Sequence, residues 1–260
     1  MTDGSPRQTR GAREHQVAAE YTVAETVSTR IHNSPRRIRG AAHWPRWLAV
    51  LPGEAELASR SLGSPITDHH SSWVRRLSTT SGDVFIKTYE YATWVSRLRS
   101  AVRRTGPGTQ SRAAREFDAL QWMLSRGLPG PEPLAVLEVR RFGFLVRATL
   151  VTTAFAGEPT DALLRRLAPA DREQLAVAIG RFVRQLHGLG FRDRNLDLRN
   201  LLGQQVSGGW SIAKVDSPRH VLRAPGSDLD ALARADWARL LPQLERFGLA
   251  AITRAAPPSD

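Results

Sequence analysis

Four stretches of the 260-residue chain carry side chains whose chemistry would be complementary if folding brought them together. Val84-Phe-Ile-Lys87 closes a hydrophobic, strand-like run on one lysine, a compact cation able to grip the phosphates of a nucleotide. Such a lysine needs a carboxylate to hold it, and Glu116 supplies one on the apolar stripe of the next predicted helix. Asp193-Arg-Asn-Leu-Asp-Leu-Arg-Asn200-Leu-Leu gathers polar side chains in a loop after a long predicted helix. Val215-Asp216-Ser-Pro leaves a short predicted strand on an acid, where a carboxylate could hold magnesium. Singly, each has an ordinary role: a snorkelling lysine, a helix-surface charge, a loop cap, a turn former. Together and in this order they are the parts of a phosphoryl-transfer site using ATP and Mg2+. Lys87 and Glu116 would serve the nucleotide, and Asn200 and Asp216 the metal.

The elements that must position these residues follow from periodicity. Ser72 to Leu77 and Val84 to Tyr89 alternate as a hairpin around Thr80-Ser-Gly-Asp83. Ala113, Glu116, Leu120 and Met123 recur at helical spacing, with Phe117 and Leu124 beside them, until Gly127 and the proline cluster Pro129 to Pro133. Val136 to Val139 and Phe142 to Thr153 predict two further strands, and Ala156-Gly-Glu-Pro159 a hinge. Beyond it, Leu175, Ile179, Phe182 and Leu186 mark a helix ending near His187 to Gly190. Asn200-Leu-Leu and Trp210 to Val215 predict strands around Ser207 to Gly209, and Leu229 to Phe247 a last helical stretch kinked or divided at Pro242. The expected fold is α+β and two-lobed: a basic disordered tail over 1–40, a strand-rich lobe with one helix over 41–155, and a helical lobe over 156–260.

Composition narrows the function. The chain has 37 basic and 25 acidic side chains, a formal net charge of +12, and of the basic residues only Lys87 and Lys214 are lysine. No cysteine is present, which excludes disulfides, thiolate-held metals and thiol catalysis. No apolar run approaches a membrane span, since Phe142 to Ala156 carries Arg147 in its middle, and the first thirty residues lack the apolar segment of a signal peptide. A cytoplasmic protein is expected. The positive charge is spread along the chain without a helix-turn-helix, zinc-finger or RNP signature, so nucleic acid is not an expected partner. The basic stretch Arg97 to Arg115 could instead attract an anionic glycolipid or membrane surface.

Phe85-Ile-Lys87, Arg115-Glu116, Leu186-His-Gly-Leu-Gly190, Leu196 to Leu202 and Val215-Asp-Ser-Pro-Arg219 together resemble the lipopolysaccharide core kinase (Kdo/WaaP) family, small relatives of the protein kinases. The resemblance spans roughly residues 44 to 250. It implies a protein-kinase-like fold with a short C-terminal lobe and ATP-dependent phosphorylation of an inner-core sugar at the inner face of the cytoplasmic membrane. The chain given has 44 residues after Asp216 and no A-P-E signature, which fits a sugar or small-molecule kinase better than a protein kinase.

Two departures from the kinase pattern set expectations of their own. Aligned without gaps on H-R-D-x-x-x-x-N, Asp193 takes the His position, Asn195 the catalytic Asp and Asn200 the metal Asn. An amide cannot accept the acceptor hydroxyl's proton, so Asn195 would orient that hydroxyl while Asp197 or Asp193 served as base. Asp197 is preferred, because the matching residue of protein kinases faces the transferred phosphate. The nucleotide loop expected between Leu62 and Val74 has only Gly63, leaving Ser64 to Ser72 to cover the phosphates. A nucleotide-binding pseudokinase acting as scaffold or regulator is the alternative to an active enzyme.

Overall fold

The structure is a computed structural model that describes residues 26–31, 34–40, 54–93, 110–225 and 230–256. Its first half is an antiparallel seven-stranded sheet ordered β1-β2-β6-β7-β5-β4-β3. These strands are β1 (Thr26–Ile31), β2 (Ser34–Gly40), β3 (Ser64–His69), β4 (Ser72–Thr79), β5 (Gly82–Glu90), β6 (Pro133–Arg141) and β7 (Phe144–Thr153). A short helix α1 (Glu54–Leu57) precedes β3, and α2 (Arg112–Ser125) links β5 to β6.

The period-2 alternation of β5 decides where its side chains go. Val84 and Ile86 point to a small core with Leu57, Leu134, Leu137 and Val151. Lys87 and Tyr89 point to the opposite face, where α2 packs Ala113, Phe117 and Leu120 beside Leu150. Ser111 caps α2, its hydroxyl accepting the Ala114 N–H at 3.0 Å, while buried Glu138 of β6 accepts the Ser111 N–H at 2.9 Å. The helix carrying Glu116 is thereby fixed at its start to the sheet carrying Lys87.

Two expectations are corrected here. Residues 26–31 and 34–40 are not tail but strands: β1 pairs with β2, and β2 with β6 from Arg36↔Val139 to Gly40↔Ala135. Thr26, Val27, Thr29, Ile31 and Ile38 are β-branched strand formers spaced among the arginines that suggested solvation. Ser64–His69 is likewise not a loop but an edge strand, exposed along its length and so without hydrophobic alternation, and its Ile66 lines a cavity shared with Lys87. Gly63 starts that strand at φ +61, and a Cβ there would lie 2.2 Å from the Arg76 carbonyl oxygen, so this glycine serves strand pairing. The remainder of the expected tail and most of the basic stretch Arg97 to Arg115 lie outside the described residues.

After Ala154–Gly157 the chain turns helical. Strand β8 (Glu158–Pro159) leads into α3 (Thr160–Arg166) and α4 (Pro169–Gly188), whose buried face comprises Leu175, Ile179, Phe182, Val183 and Leu186. Then follow β9 (Phe191–Arg192), a 3-10 turn at Leu198–Asn200, the hairpin β10 (Leu201–Val206) and β11 (Gly209–Lys214), and β12 (Val221–Leu222). The last helices are α5 (Ala231–Glu245) and α6 (Ala250–Ala255). Pro242 does not divide α5, which runs on to Glu245; the break comes at Gly248, φ +71. Helix α6 seats on α4 at Gly180, where a Cβ would lie 2.2 Å from the Thr253 carbonyl oxygen. Gly180→Ala is therefore expected to destabilise the protein by about 1–3 kcal/mol by levering α6 off α4. A denaturant melt indistinguishable from wild type would contradict that seating.

Candidate active site

Lys87 from β5 and Glu116 from α2 meet at the centre of the molecule. The Lys87 ammonium donates to Glu116 Oε2 at 2.9 Å and Oε1 at 3.2 Å. It also bonds Asp216 Oδ1, which arrives just after β11. Glu116 does more than hold the lysine: its Oε1 accepts the Asp216 backbone N–H at 3.2 Å, and its Oε2 accepts the Tyr89 hydroxyl at 3.3 Å. Burial alone would lower the Lys87 pKa, but the facing Glu116 and Asp216 carboxylates outweigh it and hold the ammonium well above lysine's ordinary value. Burial raises the Asp216 carboxyl, and Lys87 reverses that to leave it below the usual carboxylate range.

The loop between β9 and β10 brings in the asparagines. Asn195 Nδ2 donates to Asp216 Oδ2 at 3.2 Å, and Asn200 Nδ2 to the Asn195 carbonyl at 3.4 Å. Arg194 and Asp216 both adopt φ +59, left-handed backbone uncommon for a side-chain-bearing residue, so each turn beside the cluster is conformationally constrained. Lys87, Glu116, Asn195, Asn200 and Asp216 thus lie in one cluster.

The other two acids go elsewhere. Asp197 is spent within its own loop: Oδ1 accepts the Arg199 N–H and Nε, both at 3.1 Å, and Oδ2 accepts Arg199 Nη2 at 3.2 Å with Arg239 at 3.8 Å. Burial raises its carboxyl, but the Arg199 hydrogen bonds outweigh this and hold it below the ordinary range, which weakens it as a base. It clamps the 3-10 turn that carries Asn200, a correction to its expected role. Asp193 has no exposed surface and lies 3.2 Å from the equally buried Lys214 ammonium. Burial raises the Asp193 carboxyl despite that neighbour. A carboxylate sealed from solvent and paired with a lysine cannot collect a proton from an acceptor hydroxyl, so Asp193 is also corrected as a candidate base.

Sequence reasoning missed Asp236. This α5 residue is 1% exposed; its Oδ2 accepts the Asp193 N–H at 3.0 Å and faces His187 Nε2 at 3.2 Å, while Oδ1 accepts the Arg194 N–H at 2.8 Å. Asp236 thus ties the start of the site loop to α5, while Gln243 of the same helix accepts the Leu198 N–H at 3.2 Å further along it. Asp236→Ala strands two buried N–H groups and is expected to cost about 2–5 kcal/mol in a denaturant melt. A loss below ~0.5 kcal/mol would mean the loop is held by something else.

A cavity of about 360 Å³ opens beside the cluster, with Val74, Phe85, Leu150, Phe155 and Leu202 among its apolar walls and Lys87, Glu116 and Asp216 among its polar ones. The main-chain N–H and C=O of Phe155 have no hydrogen-bond partner among the described residues. An apolar slot with an open peptide at its wall suits a planar heteroaromatic base. A larger cavity of about 880 Å³ lies against α4 and the β10–β11 turn, but none of the five clustered residues lines it. For a cation, the cluster offers the Asp216 carboxylate and the Asn200 Oδ1, which has no partner among the described residues. Those hard oxygens fit Mg2+, which ordinarily takes one or two protein ligands and completes its shell with water and nucleotide phosphates. Among the described residues no three acidic or histidine side chains gather to hold a metal alone.

A sheet lysine paired with a glutamate on the helix packed against it, followed by a helical half bearing an asparagine loop and an acid, defines a protein-kinase-like fold. The family model of the lipopolysaccharide kinase (Kdo/WaaP) family matches residues 71–253, and the chain belongs to that family. It is 27% identical over 157 residues to 3-deoxy-D-manno-octulosonic acid kinase of Xylella fastidiosa strain 9a5c, and equally to that of strain M23. Each match covers 60% of this chain and 60% of the relative, so the chain spans about three-fifths of the length of the curated relatives it matches. The fold is similar to that of WaaP in complex with acyl carrier protein, with a TM-score of 0.53, 16% identity and 83% of each chain covered. Among the described residues no helix is long and apolar enough to cross a membrane.

Proposed function

We propose that this protein transfers the γ-phosphoryl group of ATP to a sugar hydroxyl of the lipopolysaccharide inner core or a related anionic glycolipid. The observation that carries this is the Lys87 ammonium held between Glu116 and Asp216, with Asn195 on the same Asp216 carboxylate. Lys87 grips the nucleotide phosphates, and Glu116 fixes Lys87 while anchoring the Asp216 backbone. Asp216 and Asn200 are the residues that would hold Mg2+, which when bound neutralises phosphate charge. Asn195 orients the acceptor hydroxyl by hydrogen bonding, and positioning with charge neutralisation supplies most of the rate in this chemistry. The names of the matched relatives favour an acidic octulosonic sugar as acceptor. Such a substrate places the protein on the cytoplasmic side, in peripheral contact with the inner membrane.

Asn195 in place of a carboxylate favours a second reading, a pseudokinase that binds nucleotide without turnover. The test is transfer of labelled phosphate from ATP to lipid A acceptors bearing one or two octulosonic residues, with Mg2+ present or chelated. Mg2+-dependent label on the glycolipid supports the enzyme. Nucleotide binding with no label on any acceptor transfers the case to the pseudokinase, and no binding ends both.

A further inference from the structure

Of the 37 basic residues, 35 are arginine and two are lysine. One is Lys87. The other, Lys214, is fully buried at the end of β11, two residues before Asp216, and 3.2 Å from Asp193 Oδ2. Asp193 in turn lies two residues before Asn195. The two chain segments whose next-but-one residues touch at the site are thus tied together one step below it.

We infer that Asp193 and Lys214 form a buried latch that sets Asp216 against Asn195, making both of them positioning residues for the phosphoryl transfer proposed above. The inference rests on that functional proposal. Its geometry has three parts. Lys214 Nζ donates to the Val215 carbonyl and, at 3.4 Å, to the Asp216 carbonyl, so it grips the backbone of the turn that holds Asp216 at φ +59. Asp193 is fixed from the other side, its N–H bonded to Asp236 at 3.0 Å. The Lys214 ammonium is the main anchor of the Asp193 carboxylate in the interior, with the Ser217 hydroxyl as a second, lesser partner. A compact ammonium can meet one carboxylate and two successive carbonyls in that space; a planar guanidinium fork cannot.

The test separates positioning from mere stability. Single neutralisations leave a buried charge unpaired and destabilise, whereas removing both charges can restore stability. The double variant Asp193→Asn/Lys214→Met is therefore expected to melt near wild type yet bind Mg2+–ADP at least tenfold more weakly by calorimetry. Its kcat should fall at least tenfold with the acceptor KM within twofold. Lys214→Arg, which keeps the charge, should not recover the affinity. If the double variant does not fold, the charge-conserving Lys214→Arg is read in its place, with the same expected losses. A folded variant with nucleotide affinity and kcat within twofold of wild type overturns the latch alone. Wild-type protein that fails to bind Mg2+–ADP overturns the functional proposal and the latch with it.

Discussion

Asp216→Asn is expected to lower phosphate transfer by about 10³-fold while shifting the thermal midpoint by no more than about 4 °C. The substitution keeps the shape and one acceptor oxygen but removes the charge. That charge does two things in the structure: it holds the Lys87 ammonium together with Glu116, and it accepts the Asn195 amide at 3.2 Å. With Asn at this position, Lys87 stays paired to Glu116 at 2.9 Å, so the buried glutamate remains compensated and the fold survives. Asp216 is itself a third exposed, which makes its neutralisation cheap in stability. Lys87→Met should behave differently, costing comparable rate but also stability, because Glu116 is then buried with no cation beside it. Single-turnover transfer measured alongside thermal melts distinguishes the two. An Asp216→Asn enzyme retaining more than a tenth of wild-type transfer would remove Asp216 from the proposed metal-holding role.

What the sequence makes legible is whatever depends on local pattern. Lys87 closes a hydrophobic alternation, and Glu116 interrupts an apolar helical stripe, so both announce themselves as charges on inward faces; the structure brings them to 2.9 Å. The ungapped register of the asparagine loop is legible for the same reason, because Leu196, Leu198 and Leu201 are spaced to bury while Asn195 and Asn200 stay accessible. Features that depend on tertiary neighbours are not. Asp236 looks like one more acid on an amphipathic helix, and only the arrival of β9 above α5 turns it into the anchor of a loop more than forty residues away in sequence. Asp197 and Asp193 flank Asn195 symmetrically in the sequence, yet one caps its own turn and the other is sealed against Lys214. Strands β1 and β2 are hidden by their arginines, since an arginine-rich strand pair and a disordered basic tail have the same composition.

Asn195→Asp is expected to raise transfer to a sugar acceptor by about 10²-fold, within the range a general base contributes. The amide now donates to Asp216 Oδ2 at 3.2 Å, so the side chain already points at the carboxylate that orients the reacting groups. A carboxylate there could accept the acceptor hydroxyl's proton, which the amide cannot. It would also face Asp216 as a like charge, so without Mg2+ the variant should be less stable than wild type, and Mg2+ should raise its melting temperature more than it raises that of wild type. The sign of the pH dependence follows from the new group. Only its ionised form is a base, so the rate of the variant should climb with pH through the new carboxylate's pKa, a limb added to the lower-lying one that Asp216 sets in both proteins. Rate–pH profiles of the two proteins, taken on the same acceptor, carry the comparison. A variant that folds, binds Mg2+–nucleotide and gains less than twofold would mean that the acceptor hydroxyl does not sit at residue 195, and that the rate depends on positioning by Lys87 and Asp216 alone.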